Sequence, residues 1–503
     1  MALKSPSSRD GRLLNPAAKA FLLAYISTTG PRTLSLLIKI IRQGRLSVDI
    51  KEKLSKTLLD GLDPYRLPTF AAVVVGGSKG LQLPIYQILK TIASRINLFS
   101  KPSSPAQILA LARFLAALVS SWFAFTLLNK PKDQSTASSI QTTQKTPNPP
   151  PPVSDKPSRI PDGIPKLNVD IESMPSQFSA QGIPLAGRTL DLTLFAAVRA
   201  IDAVFQLTPP PKNDRLKKLS AAFGRVSSPA IFSLSCAFIM HAFFYAPRAL
   251  PLTYNAWIQR IANVDERIVQ ALRQARFGNF VYGKETGIGP LVGSMCRDYG
   301  WPEKWGNPAV TVPLPCEVVH QGAGPSCEVH ALSRLARSFV AALGVYAPLQ
   351  AVILLRRLSR VGVDKSAAVR RALLDSVRAA SFLGSFVALF YYGVCLARTR
   401  LGPPLLGKWV TPQMWDSGLC VLGGCCACGF SINLEAAKRQ TELMLFVAPR
   451  ALGIFFPRRY DRKELWKEQA VFALSTAAVL TAVQTRPSAV RGVFGGVLAG
   501  VLT

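Results

Sequence analysis

The residues with the most distinctive chemistry lie in one short segment, where two cysteines and two histidines occur within fifteen positions. Cys316 and His320 are followed by Cys327 and His330. Thiolates and imidazoles are the ligands that tetrahedral zinc prefers in proteins. The four residues are therefore candidate metal ligands, and zinc is the cofactor that they would bind.

A structural role for the two cysteines is the alternative to a metal site. Cys316 and Cys327 either form a disulfide or stay reduced and close a tight turn before a helix that Ser326 caps. The pattern favours this structural role over metal binding, and metal binding over catalysis. The chain contains no phosphate-binding loop and no nucleophile with a neighbouring base, so we do not expect an enzyme.

A second set of candidate residues is charged and lies in or beside apolar sequence. Arg188 and Asp191 are three positions apart, and so are Arg199 and Asp202, a spacing that places two side chains on one face of a helix. Arg450 is alone in a similar apolar stretch. Ionisable residues at membrane depth are costly and often mark a transport pathway. We interpret these charges first as ion pairs that fix helix packing, and a pathway is the alternative.

Apolar segments of about twenty residues supply the elements that must position these groups. Of the 503 residues, 49% are hydrophobic and only 17% are charged, whereas about a quarter are charged in typical soluble proteins. A helix of about twenty apolar residues spans a bilayer. We therefore predict an all-α fold, a multi-pass transmembrane helical bundle. The candidate segments are 68–89, 106–128, 190–207, 229–246, 335–355, 374–396, 415–434, 443–456 and 470–483.

An internal repeat organises these segments. Residues 191–205 and 442–456 share seven identities in fifteen at an offset of 251, and further matches follow at an offset of 240. Repeated apolar units predict two pseudo-symmetric halves of four to five helices each, in either an inverted or a parallel arrangement. The predicted division is 1–129 and 189–257 for the first half, 130–188 for a disordered linker, 258–334 for a non-spanning cysteine-containing module, and 335–503 for the second half.

The net charge of +32 lies mainly in the loops between apolar segments. Basic residues that flank membrane segments bind anionic lipid headgroups, so the lipid bilayer is the expected partner, together with other membrane proteins. A nucleic-acid-binding domain would present basic and aromatic residues together on a soluble face, and the sequence has no such pattern. The N-terminus also lacks a signal-peptide pattern, so we expect internal segments to direct membrane insertion.

Several runs of sequence resemble one family of membrane proteins. The segment from Cys316 to Cys327 and the run VYAPL at 345–349 resemble the transmembrane protein 135 family, as do the runs 381–398 and 473–488. Residues 187–202 resemble its longer fungal members. The helical halves are also distantly similar to mitochondrial inner-membrane translocase pore subunits.

The resemblance implies a location and a role. It implies a protein of peroxisomal membranes, with mitochondria as the alternative, that takes part in lipid or fatty-acid handling or transport. Two rival functions stay open. The chain is a translocase or channel-like pore subunit, or it is a membrane scaffold that recruits partners through its basic and disordered loops.

Overall fold

The computed structural model describes residues 10–43, 48–95, 105–130, 185–209, 212–359, 362 and 364–502. The fold in these residues is helical, as predicted, with one two-stranded antiparallel ladder, β1 (Leu185–Ala186) with β2 (Tyr460–Asp461). Most of the predicted linker, 131–184, lies outside the described residues. The helices are α1 (Asp10–Gln43), α2 (Val48–Asp60), α3 (Leu67–Gly80), α4 (Gln82–Arg95), α5 (Pro105–Leu128), α6 (Leu190–Leu207), α7 (Asp214–Tyr245), α8 (Leu252–Ala262), α9 (Glu266–Arg276), α10 (Gly289–Asp298), α11 (Cys316–His320), α12 (Cys327–Leu358), α13 (Lys365–Cys395), α14 (Gly402–Leu406), α15 (Pro412–Met414), α16 (Cys420–Cys428), α17 (Ala437–Leu452), α18 (Leu465–Thr485) and α19 (Gly492–Leu502).

Five helical segments of the described residues are long and apolar enough to cross a membrane, which fits an integral membrane protein. The segment 68–89, predicted as one span, instead forms α3 and α4 with a break at Leu81. Pro84 lies in the first turn of α4, where its missing N–H is tolerated, but it cannot continue a preceding helix. The predicted segments 190–207, 443–456 and 470–483 lie in α6, α17 and α18, which are shorter, more polar or more charged than the five. The five segments are Pro105–Leu128, Asp214–Tyr245, Cys327–Leu358, Lys365–Arg400 and Pro412–Leu434.

The chain forms two compact units whose boundaries differ from the predicted halves. Of the described residues, those within 10–130, 185–209 and 458–502 belong to the first unit, and those within 212–457 belong to the second. The C-terminal helices belong to the first unit because α18 packs against both α5 and α6. The division therefore separates α6 from α7, which are neighbours in sequence.

In the first unit, α1 packs on α3, α3 on α5, α5 on α18, and α18 on α6. The rings of Phe70, Phe125 and Phe472 meet in its core, with centroid distances of 5.7 and 5.2 Å to Phe472. Burial of such large apolar side chains contributes about 2 kcal/mol each. The helix order is thus fixed by one continuous apolar core.

In the second unit, α12 packs on α13, α13 on α16, α16 on α7, and α7 on α17. Close contact between α13 and α16 depends on small residues. A Cβ added at Gly393 would lie 2.7 Å from the Cβ of Ala427, and one at Gly424 would lie 2.7 Å from the carbonyl oxygen of Phe390. Small residues of this kind let helix backbones approach closely in membranes. A smaller core around Met295 joins α9, α10 and α11.

Candidate metal centre

The ends of three helices meet at a group of sulfur and nitrogen ligands in the second unit. Cys316 is the first residue of α11 and His320 is its last, Cys327 is the first residue of α12, and Cys395 is the last residue of α13. Their ligand atoms all lie within 4.8 Å of one another. The group could hold a metal ion.

A tight turn between α11 and α12 brings the first two ligands back onto the third. Gln321, Gly322 and Gly324 have φ values of 52°, 83° and 85°, which is the left-handed region that glycine adopts without steric cost. A Cβ at Gly322 would lie 3.1 Å from the ring of Tyr299. The Ser326 side chain then accepts the N–H of Val329 and begins α12, so the predicted cap is confirmed.

Four of the six distances between ligand atoms are close to those of a tetrahedral site. The Sγ atom of Cys316 lies 3.8 Å from the Sγ of Cys327 and 4.0 Å from that of Cys395. The Nε2 atom of His320 lies 3.3 Å from Cys316 and 3.5 Å from Cys395. Zinc bonds of about 2.3 Å to sulfur and 2.0–2.1 Å to nitrogen give tetrahedral edges of about 3.8 Å between sulfurs and about 3.6 Å between sulfur and nitrogen. These four edges therefore match a single tetrahedral ion, and the other two distances are within the 4.8 Å that bounds the group.

Neighbouring groups orient the imidazole of His320 and lower the pKa of the Cys316 thiol. The Nδ1 atom of His320 lies 2.7 Å from the carbonyl oxygen of Gly324, so a proton on Nδ1 leaves Nε2 free to bind a metal. The hydrogen bond between the thiols of Cys316 and Cys395 lowers the pKa of Cys316 to about 4, helped by His320 and opposed by burial. Thiolate is the form that binds metals, so the group favours the ligand form of Cys316.

The structure brings together three of the four residues named from the sequence and supplies Cys395 as the fourth. His330 lies beside the group, not in it. Its ring stacks on His320 at a centroid distance of 4.7 Å and meets Tyr391 edge-on at 5.2 Å. The alternative disulfide is not formed, because the sulfurs of Cys316 and Cys327 lie 3.8 Å apart, well beyond a bond of about 2.0 Å.

A buried ion pair lies one helical turn beyond Cys395. The guanidinium of Arg398 donates to both carboxylate oxygens of Asp416 at 2.5 and 2.9 Å, and both side chains are about 5% exposed. The Tyr282 hydroxyl also donates to Asp416, and Gln413 accepts the N–H of Tyr282. This network connects the end of α13 to the segment that precedes α16.

The charges predicted on one face of α6 bind groups from the C-terminal segment. Asp202 is 9% exposed and accepts two hydrogen bonds from Arg491, one of them at 3.1 Å. Arg199 is 7% exposed and donates to the carbonyl oxygen of Arg491 at 2.9 Å. Its guanidinium also lies 5.2 Å from the centroid of Phe195 and 5.4 Å from that of Phe494.

The other three predicted charges have separate environments. Asp191 pairs with Arg458, with 2.6 Å between the charged atoms, whereas Arg188 donates to the carbonyl oxygen of Leu128. Arg450 lies 3.8 Å from the ring centroid of Phe446 and 5.5 Å from that of Tyr254.

An apolar cavity of about 440 Å³ lies among α7, α8, α12, α13 and α17 of the second unit. Its walls are aliphatic and aromatic, with tyrosine hydroxyls, one indole and one thiol as the polar groups. Trp257 and Phe446 are 47% and 50% exposed at its edge. Its size is within the range of about 300–1,000 Å³ that small-molecule sites have.

Sequence reasoning missed Cys395, Arg398, Asp416 and Arg491. Cys395 ends an apolar run, where a thiol is usually a small hydrophobic residue. Its position at the predicted end of a helix, three residues before an arginine, was the available signal. Arg491 lies between α18 and α19, 289 residues from Asp202, and no spacing in the sequence relates the two.

Comparisons with known proteins give no match: no family model, no curated protein and no solved structure is similar to this chain.

Proposed function

We propose that this chain is an integral membrane protein of the peroxisome that takes part in lipid handling by holding acyl chains in the apolar cavity of its second unit. The cavity carries the proposal. Three of the five candidate spans, those of α7, α12 and α13, contribute to its wall, so its surroundings are hydrocarbon. The organelle rests on the family resemblance alone.

The surroundings of the cavity support an acyl chain as the occupant. Within the candidate span of α12, only 11% of the residues are buried, and Val345 and Leu349 are 63% and 55% exposed. Surfaces of this kind suit lipid tails and not water. Arg439 and Arg450 lie over the wall residues Tyr346 and Tyr254 at 6.0 and 5.5 Å, where a cation can meet an acidic headgroup.

A translocase pore has weaker support. A pore would use the buried charges of α6 to line a wet path. The carboxylate of Asp202 instead accepts hydrogen bonds from two guanidinium nitrogens of Arg491. The guanidinium of Arg199 lies near two aromatic rings. These contacts favour a packing role for the charged residues.

The lipid proposal is tested by filling the cavity. In the purified full chain, Val447→Phe replaces a residue of the cavity wall with a larger aromatic one. Val340→Phe makes the same change at a position that is 66% exposed and outside the cavity lining. We expect Val447→Phe to lower crosslinking of a photoreactive fatty acid about tenfold and Val340→Phe to leave it unchanged. Equal crosslinking in both variants, with unchanged thermal stability, would overturn the proposal. Microscopy of the tagged chain against peroxisomal and mitochondrial markers tests the organelle.

We also propose that the Cys316, His320, Cys327 and Cys395 group binds one structural zinc ion. A set of three sulfurs and one nitrogen in tetrahedral positions suits zinc. Four protein ligands leave no open position for a substrate, so the ion would hold α11, α12 and α13 together and perform no chemistry.

Metal analysis of the purified chain tests this centre. We expect about one zinc per chain, lost in His320→Ala and kept in His330→Ala, the matched control for the neighbouring ring. Cobalt substitution gives the absorption of a tetrahedral thiolate site if the ligands are correct. A metal-free chain with all nine thiols reduced would contradict the proposal.

We further propose that the repeated segments exchange helices to form two related bundles. Positions 199, 195 and 494 in the first unit correspond to 450, 446 and 254 in the second at the offsets of 251 and 240. In each unit an arginine of one copy lies over a ring of its own helix and over a ring from the other copy. The short helical turns Pro247–Ala249 and Pro487–Ala489 also match at 240. This reciprocal pattern supports two pseudo-symmetric bundles, each of which contains helices from both sequence copies.

A further inference from the structure

A second cavity, of about 490 Å³, lies in the first unit at the ends of several helices. It is bordered by the end of α2, the beginning of α3, the end of α5 and the segment before α18. Unlike the cavity of the second unit, its lining is rich in charged side chains. The basic ones are Arg32, Arg66, Lys130, Arg188, Arg459 and Arg462.

Only two carboxylates share this cavity with the six basic groups, so an excess of four positive charges remains. Both carboxylates belong to one local cluster, because Asp60 and Asp63 lie 3.1 and 3.6 Å from the guanidinium of Arg66. The other five basic side chains have no acidic partner among the described residues. Confined like charges repel one another, so the cavity favours an anion.

Two of the arginines are positioned by main-chain hydrogen bonds and still have N–H groups available to a ligand. Arg188 and Arg462 each donate to a main-chain carbonyl, of Leu128 at 3.0 Å and of Asn129 at 3.1 Å. A guanidinium has five N–H donors, so both retain donors for a ligand. Arg459 is half-buried and has no hydrogen-bond or ion-pair partner among the described residues. The cavity therefore offers several planar donors that suit phosphate oxygens.

The helix ends add to the positive potential. α3 and α18 both begin at this cavity, with Leu67 and Leu465 in its wall, and the beginning of a helix carries a partial positive charge. The helix α1, which contributes Arg32 to the lining, also exposes apolar side chains, since Leu22, Ile26 and Leu34 are 55–58% exposed. A site for an anion thus lies beside a surface that suits hydrocarbon.

We propose that this cavity binds a phosphate-bearing ligand whose phosphate oxygens are held by Arg459, Arg462 and Arg188. Its volume exceeds what a bare inorganic ion fills and is within the range of small-molecule sites. The phosphate belongs either to the headgroup of an anionic lipid or to a soluble phosphate ester. The site is separate from the apolar cavity of the second unit and does not rest on the function proposed for it.

The test uses the full chain in nanodiscs and charge-matched variants. Arg459→Gln and Arg462→Gln each remove one cation from the cavity, whereas Lys463→Gln removes one from an exposed position next to Arg462 that is outside the lining. The probes are phosphatidic acid in phosphatidylcholine nanodiscs and, separately, glycerol phosphate added to nanodiscs of phosphatidylcholine alone. Thermal stability of each variant without ligand checks folding.

We expect each cavity variant to weaken binding roughly tenfold, as loss of a charge-assisted hydrogen bond does, and the lysine variant to bind like the unmodified chain. Binding of phosphatidic acid alone assigns the ligand to the bilayer, and binding of glycerol phosphate assigns it to solution. Equal weakening by Lys463→Gln would reduce the effect to general surface charge and overturn the proposal. Failure of the unmodified chain to bind either probe would do the same.

Discussion

The repeated arginine has a different environment in each of the two compact units. In the second unit, Arg450 lies between the rings of Phe446 and Tyr254. In the first unit, Arg199 has the corresponding aromatic neighbours but is buried and also donates to a main-chain carbonyl of the C-terminal segment. The aromatic contacts accompany the repeat. Arg450 also donates to a main-chain carbonyl, but to that of Phe446 in its own helix, so the hydrogen bond to the other sequence copy belongs to the first unit.

The ion pair beside Arg199 also occurs in one unit only. Asp202 binds Arg491 in the first unit, and the corresponding positions of the second unit are Gly453 and Pro251 at the offsets of 251 and 240. Both partners are changed together, so neither copy buries an unpaired charge, which would be costly. The second unit instead concentrates its polar groups at Cys316 and its neighbours. The two units are thus stabilised by different polar contacts.

Among variants that affect one unit and not the other, removal of a candidate metal ligand is expected to have the largest effect on stability. Cys395→Ser replaces a buried proposed metal ligand at the end of α13, and metal binding in small zinc domains contributes about 10–16 kcal/mol. We expect loss of zinc and a fall of about 5 kcal/mol in the free energy of unfolding of the second unit. The fall is smaller than in a small zinc domain because the helical core of the unit remains without the metal. Thermal unfolding with site-specific fluorescent labels in each unit measures it.

The control for this variant is Cys426→Ser, since Cys426 is exposed and outside the group. If both serine variants unfold at the temperature of the unmodified chain and keep their metal, the metal centre has been misassigned.

Loss of the buried carboxylate near the metal centre is the next largest effect. Asp416→Asn leaves Arg398 buried without its counter-charge, which typically costs about 3–5 kcal/mol. The matched surface variant is Glu464→Gln, whose partner Lys467 is 58% exposed, and pairs of that kind contribute about 0–1 kcal/mol. Chemical denaturation in detergent should separate the two variants clearly. Similar destabilisation by both would mean that the Arg398 pair is solvated.

The sequence predicts the helical class because apolar runs of about twenty residues leave few alternatives. It predicts α6 with the observed bounds, since Asp191, Arg199 and Asp202 are the only charged residues of this apolar stretch. It does not predict that α18 packs on α5 and α6. Packing between helices far apart in the chain depends on the shape of the contact surfaces, which a single sequence does not specify.

The candidate metal ligands were partly predictable for a similar reason. Cys316, His320 and Cys327 are close in sequence, so their spacing gives the signal. Cys395 is 68 residues beyond Cys327 and reaches the group only because α12 and α13 pack as a hairpin. His330 was the fourth candidate on spacing alone, and one helical turn from Cys327 it lies beside His320 and outside the ligand cluster.

Asp202 provides a moderate effect confined to the first unit. Asp202→Asn keeps the shape of the side chain but removes the charge that Arg491 binds, and Arg491 is itself 33% exposed. We expect a loss of about 1–3 kcal/mol, the usual range for a charge-assisted hydrogen bond. A double-mutant cycle with Arg491→Gln isolates the pairwise energy. Additive effects of the two changes would indicate that the pair contributes nothing to the fold.

The smallest effect tests whether the repeated aromatic contacts are equivalent. Double-mutant cycles of Arg450→Met with Tyr254→Leu and of Arg199→Met with Phe494→Leu each measure one contact between the two sequence copies. Cation–π pairs contribute about 0.5–1 kcal/mol at exposed sites and about 2 kcal/mol when desolvated. Because Arg199 is buried, we expect the larger coupling in the first unit and a smaller, measurable coupling in the second. Coupling in only one unit would mean that the exchange of helices is not reciprocal, and the two bundles would then share sequence without sharing a packing arrangement.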